Sequence, residues 1–310
     1  MDPEADRVTA PPADASVWLR TSERGTAFAL TLVMLLCRWF GRAFTRVLIA
    51  PAVFYFVLFA PQARRASREY LARLGQPSGF RAVYAHFLRF AHVTLDRLYF
   101  TLGKLGSFAI TRTGKEHLIG LKEQRRGALL LGAHLGSFEA MRGMATGTSL
   151  PLNIIGYFKN ARLINGVLTR LNPALAGRVI NVERNMGFVL TLKERIDAGE
   201  LVALLGDRIG LNDRVVEVEL FGKPALLPAG PYWLAASLGC PVYLTFGLFH
   251  EPNRYDLYCE PFAERIELRR GDREGDARAW AQRYAQRLEH YCRMAPDNWF
   301  NFYPVWKAAA

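Results

Sequence analysis

Cysteine is scarce in this chain: Cys37, Cys240, Cys259 and Cys292 are the four among 310 residues, and no two form a Cys-x-x-Cys pair. That spacing excludes a disulfide framework or a zinc ribbon and points to reduced thiols in a cytosol-facing protein. Acidic residues are also in deficit. Against 40 Lys and Arg stand 28 Asp and Glu, which leaves a net charge of +12 and a pI near 9.8. Such a balance favours an anionic partner: lipid headgroups, an acidic protein or nucleic acid. We expect no nucleic acid, because the basic residues are dispersed and no zinc-ligand spacing, helix-turn-helix pattern or aromatic RNA-binding block accompanies them. Neither G-x-G-x-x-G nor a Walker A motif is present, so no cofactor is expected. Residue types for a metal site are not clustered, so none is expected there either.

Uninterrupted apolar runs of the ~20 residues needed to span a bilayer are missing too. Residues 26–36 and 47–60 are apolar but shorter, and Arg38, Arg42 and Arg46 separate them. The four-residue spacing lines these arginines along one stripe of a helix. Burying them in a bilayer costs a few kcal/mol each, so the expectation is an interfacial helix that turns them toward lipid phosphates. A helical hairpin buried in a soluble protein is the alternative. Pro51 is expected to kink or start a second helix, and Arg64, Arg65 and Arg68 add a basic patch suited to a cytoplasmic leaflet. Residues 1–16 are polar without a basic start and read as a disordered tail, not a signal peptide. We therefore divide the chain into that tail, membrane-binding helices over 17–75 and a catalytic domain over 76–310.

Helical spacing runs over 80–102, and strand candidates follow at 129–133, 152–157, 178–182, 201–205, 242–249 and 256–260. Helical patterns at 138–146, 161–171, 186–198 and 232–238 fall between several of them, and a last helix covers 280–294. Alternation of this kind implies an α/β fold with a mixed, mainly parallel sheet covered by helices.

The chemistry concentrates in Leu129-Leu-Leu-Gly-Ala-His-Leu-Gly-Ser-Phe-Glu139. An apolar strand ends at a glycine, and His134 follows at the strand's carboxyl end, where open α/β sheets bind their ligands. Glu139 stands five residues on, in the first turn of a helix, and is expected to fix the ring's tautomer and stabilise its charge. Gly136 permits close backbone approach. The N–H groups of Gly136 and Ser137 are placed to face a developing oxyanion. His86, His92, His117, His250 and His290 have no such setting. Asp207 and Arg208 end the 201–205 strand on the same sheet edge. Arg208 there either holds a phosphate or carboxylate by paired hydrogen bonds or simply pairs with Asp207.

Gly132-Ala-His-Leu-Gly-Ser-Phe-Glu139 resembles the H-x-x-x-x-D/E block of the lysophospholipid acyltransferase superfamily, and most of all its late lipid A biosynthesis acyltransferases. Leu204-Leu-Gly-Asp-Arg208, Phe221-Gly-Lys-Pro-Ala225, Gly230-Pro-Tyr-Trp-Leu-Ala-Ala236, Leu238-Gly-Cys-Pro-Val242 and Asn298-Trp-Phe-Asn-Phe-Tyr-Pro-Val-Trp306 resemble further blocks in that family's order. One departure is Asp207-Arg208, where those enzymes usually carry Asp-Gln. The resemblance implies acyl transfer at a bacterial inner membrane's cytoplasmic face. The donor would be an acyl carrier protein thioester and the acceptor an anionic lipid or glycolipid. His134 would be the base, and Lys159, at the family's basic position, would hold the acceptor with Arg208. Two rivals stay open: a hydrolase or thioesterase using Ser137, and a non-catalytic lipid- or carrier-binding protein.

Overall fold

In a computed structural model the described residues are 27–145, 150–156, 178–182, 186–210 and 213–307. Three helices lead: α1 (Ala27–Phe59), α2 (Pro61–Arg73) and α3 (Phe80–Thr101). A sheet-and-helix alternation follows, with β1 (Ala109–Thr113), α4 (Lys115–Glu123), β2 (Ala128–Gly132), α5 (Phe138–Ala145), β3 (Leu152–Gly156), β4 (Val179–Asn181), α6 (Met186–Asp197) and β5 (Leu201–Leu205). Next come the pair β6 (Val215–Leu220) and β7 (Lys223–Pro228), then α7 (Gly230–Leu238), β8 (Val242–His250), β9 (Arg254–Ala263) and α8 (Arg273–Met294). Seven strands form one sheet in the order β1-β9-β8-β2-β5-β3-β4. Its pairings are parallel except β8 with β9, so the sheet is mixed and mainly parallel, as the alternation implies. β1 and the separate antiparallel pair β6–β7 carry no clear sequence signal: β1 is mostly exposed, and β6 holds Glu217 and Glu219 on its outer side.

β2 shows why the sheet forms. Leu129 and Leu131 enter one apolar cluster with α2, α7, α8 and the carboxyl-terminal segment. Ala128 and Leu130 enter a second, with α3, α4 and α5. A strand covered on both faces reads as a continuous apolar run because neither set of side chains meets water. The long α8 is started by Asp272, whose side chain accepts a hydrogen bond from Gly275 N–H at 3.0 Å.

The amino-terminal helix corrects the expectation of arginines turned to lipid. α1 is two helices joined across a kink at Gly41 (φ 76°, ψ 178°), and Pro51, the residue expected to kink or start a helix, lies inside the second of them. Arg42 grips the buried Asp96 of α3 with two hydrogen bonds of 2.6 and 2.8 Å, and it donates to Pro252 O in the β8–β9 turn. Arg46 also donates to Pro252 O and pairs with Glu251. The Arg38 side chain, like Lys159, the 1–16 tail and the 161–171 helix pattern, lies outside what is described. The opposite face of α1 is apolar and open: Trp39 is 77% and Val47 70% exposed, and Phe40, Phe44 and Tyr55 are exposed with them. A bidentate Arg–carboxylate pair is a strong, geometrically specific hydrogen bond, and it fixes Arg42 toward the protein. Trp39–Phe59, with a mean hydropathy of 1.6, is long and apolar enough to cross a membrane by length and composition. Arg64 closes the helix by donating to Val57 O and Leu58 O.

Candidate active site

Parallel pairing sets the geometry. β2 and β5 are in register with Gly132 opposite Leu205. Two residues beyond each strand end stand His134 and Asp207, and they meet. His134 Nδ1 lies 2.8 Å from Asp207 Oδ1, and the His134 N–H donates to Asp207 Oδ2 at 3.0 Å. Trp299 Nε1 donates to the same oxygen at 2.8 Å. Burial raises the Asp207 pKa, but the attraction of His134, its hydrogen bond, the Arg208 cation and the Trp299 donor outweigh it, holding the carboxyl down at about 2. An ionised carboxylate can only accept, so the ring proton sits on Nδ1 and the lone pair on Nε2. Burial, followed by the positive field of Arg208, lowers the pKa of His134 below its ordinary 6.5. The ring, whose side chain is 28% exposed, is thus a neutral base, and among the described residues its Nε2 makes no hydrogen bond.

Asp207, not Glu139, therefore orients the imidazole. Glu139 instead accepts from Arg97 Nε of α3 at 2.5 Å. The spacing of five residues puts Glu139 on the helix side of the turn, while register across the sheet delivers Asp207 to the ring. Arg208 acts on Asp207 through its charge. Its Nη2 donates to Phe300 O at 2.8 Å, and its guanidinium stands 5.1 Å from the Tyr303 ring centre.

The expected oxyanion donors are also otherwise engaged. Gly136 N–H donates to Asn298 O and Ser137 N–H to Gly247 O, each at 2.8 Å. Gly136 has φ +69°, and a Cβ there would lie 1.8 Å from Gly247 O, so the loop's close approach to β8 admits only glycine. Ser137 is 1% exposed and its Oγ accepts from Ala140 N–H at 3.1 Å. That is an N-cap for α5, and it takes the hydroxyl away from the nucleophile role that the hydrolase reading needs.

Residues 298–301 form a strap over this centre. Besides Asn298 O and the Trp299 indole, Phe300 N–H donates to His134 O at 2.7 Å, and Asn301 Nδ2 reaches Asp207 O at 3.3 Å. Trp299 is fully buried, and its role as a donor to Asp207 is not visible in the sequence. Arg97 carries no sequence signal at all, since it is one arginine among 40 basic residues. Between α5 and the sheet lies a small apolar pocket lined by Leu118, Leu130, Phe138, Met141, Leu152 and Ala203, with Arg142 and Thr245 beside them. No group of three or more His, Cys, Asp and Glu suited to a metal ion occurs among the described residues.

The phosphatidylinositol mannoside acyltransferase of Mycobacterium tuberculosis is 26% identical over 208 residues, covering 63% of this chain and 59% of its own. The enzyme of the same name from Mycolicibacterium smegmatis is 25% identical over 206 residues, 62% of this chain and 61% of its own. The chain thus spans about three fifths of the length of these curated relatives. Residues 106–308, which hold His134, Asp207 and the strap, match the family described as bacterial lipid A biosynthesis acyltransferase. With that match over more than half of its length, the chain belongs to the bacterial lipid A biosynthesis acyltransferase family.

Proposed function

We propose that this protein transfers a fatty acyl chain from a thioester donor to a hydroxyl of an anionic lipid or glycolipid, without a covalent enzyme intermediate. The observation that carries the reading is the His134–Asp207 dyad, which leaves Nε2 as a neutral base at the mouth of the site. That nitrogen takes the acceptor hydroxyl's proton as the oxygen attacks the thioester carbon. The donor is an acyl carrier protein, acidic where this chain carries +12. Arg208 and Lys159 favour an acceptor bearing phosphate, and the names of the relatives make a phosphatidylinositol mannoside one acceptor to test beside lipid A precursors. Residues 17–75 bind the cytoplasmic face of a bacterial inner membrane in this reading. The open apolar face of α1 lies in the interface, and its arginines clamp the catalytic domain at 76–310.

The test supplies purified protein with an acyl-loaded carrier protein or an acyl-coenzyme A, and with vesicles carrying each acceptor. Acyl transfer that depends on acceptor, and that falls at least ~10²-fold in a folded His134→Ala variant, is the expected result. Free fatty acid released at full rate without acceptor, or unimpaired His134→Ala, would overturn it.

A further inference from the structure

Acyl transfer through a tetrahedral intermediate needs a donor for the oxyanion, commonly worth ~10²–10³-fold in rate. In this site the backbone N–H groups of Gly136 and Ser137 are bonded to carbonyls of the protein itself. The motif's own glutamate, meanwhile, accepts from Arg97, and Asp207 bonds the ring in its stead. One residue accounts for both facts. Arg97, from α3, gives its Nε to Glu139 Oε1, and among the described residues its two Nη groups make no further hydrogen bond. Its side chain is 28% exposed against 13% for Glu139, so the guanidinium stands at the wet end of the pair. It also stands close enough to His134 for its charge to lower the ring's proton affinity.

Resting on the acyl-transfer reading, we propose that Arg97 is the oxyanion donor and that Glu139 is a positioning residue that aims it. A guanidinium held through Nε presents its remaining donors as a rigid fork, whereas an unheld arginine would lose that aim to rotamer freedom. His134 Nε2 accepts the hydroxyl proton, the acceptor oxygen bonds to the carbonyl carbon, and the C=O π pair moves onto oxygen facing Arg97. Collapse breaks the carbon–sulfur bond, and the leaving thiolate takes the proton back from the imidazolium. Arg97 lies before the first residue of the family match at 106, so the motif's glutamate would depend on a helix outside the matched region.

The test is a double-mutant cycle in the full chain with Arg97→Ala, Glu139→Ala and both together, each checked for an unchanged melting temperature. Thiol release from an acyl-loaded carrier protein reports turnover in vesicles of the acceptor that wild type uses. The expected fall in kcat for Arg97→Ala is ~10²–10³-fold with KM little changed. Arg97→Lys should recover part of it, and the double variant should fall no lower than Arg97→Ala alone. In parallel, the His134 ring titrated by NMR should show a higher pKa in Arg97→Ala. Multiplicative losses in the double variant, near-normal kcat for Arg97→Ala, or an unmoved His134 titration would overturn the proposal. Because the oxyanion role rests on acyl transfer, an inactive wild type would sink both. An active wild type with independent Arg97 and Glu139 effects would sink the oxyanion role alone.

Discussion

At the scale of single residues, Asp207 explains the chemistry. Its two oxygens take three donors, from His134 Nδ1, His134 N and Trp299 Nε1, and leave nothing to rotate. Asn in its place offers one acceptor oxygen and a donor NH₂ that faces another donor, so the imidazole would turn its proton to Nε2 and lose the base. Asp207→Asn should therefore lower turnover by at least ~10²-fold while substrate binding persists, as steady-state kcat and KM would reveal. The pH profile has a worked sign. His134 acts when neutral and its pKa lies below 6.5, so kcat/KM should rise with pH through a value under 6.5 and then level off. Asp207, held at about 2, stays ionised throughout and adds no step of its own. A profile that climbs through pH 7 or above would contradict this assignment.

At the scale of elements, two devices bind the amino-terminal helices to the site. Asp96 is fully buried and takes both oxygens' bonds from Arg42, with Tyr255 Oη donating at 2.8 Å. Removing the cation leaves that carboxylate buried and uncompensated, so Arg42→Gln should cost about 3–5 kcal/mol in denaturant unfolding. Arg46→Gln, facing the 39% exposed Glu251, should cost at most about 1 kcal/mol. The second device is His86 of α3, buried completely between Ser67 of α2 and the strap. Its Nε2 lies 3.0 Å from Trp299 O and its Nδ1 2.8 Å from Ser67 Oγ, so Nε2 donates and Nδ1 accepts. Burial lowers its pKa to about 4. The unfolded chain binds this proton near pH 6.5 and the folded one near 4, so stability present above 6.5 is lost as pH falls across that window. The loss should approach about 3 kcal/mol. Unfolding free energies between pH 7 and 4 should show this slope, and His86→Gln should flatten it.

At the scale of the whole molecule, charge and apolarity are separated in an unusual way on α1. Arg42 and Arg46 close inward onto α3 and the β8–β9 turn, while Trp39, Phe40, Phe44 and Val47 remain outside. Vesicle binding should therefore follow the outer face. Changing Trp39, Phe40, Phe44 and Val47 together to Ser should weaken partitioning at least ~10²-fold, about 3 kcal/mol, with the melting temperature unchanged. Unaltered binding in a flotation assay would mean that another surface meets the membrane.

Local sequence determined much of this protein. Buried strands such as β2 and β5 are legible because strands covered on both faces must be apolar throughout, and His134 is legible because it follows one of them at a glycine. Membership of an acyltransferase family is legible in the same blocks. Partners across the sheet are another matter. That Asp207 meets the ring depends on the pairing of Gly132 with Leu205 across strands more than 70 residues apart, and spacing along the chain favours Glu139 instead. The orientation of Arg42 and Arg46 was undecidable for the same reason: a helical stripe specifies a face, and what lies against that face depends on Asp96 and the distant 251–252 turn. The strap at 298–301 holds His134 and Arg208 through the backbone of Phe300, and Asp207 through the side chains of Trp299 and Asn301; the block is legible in the sequence, but only the folded chain brings it onto the dyad.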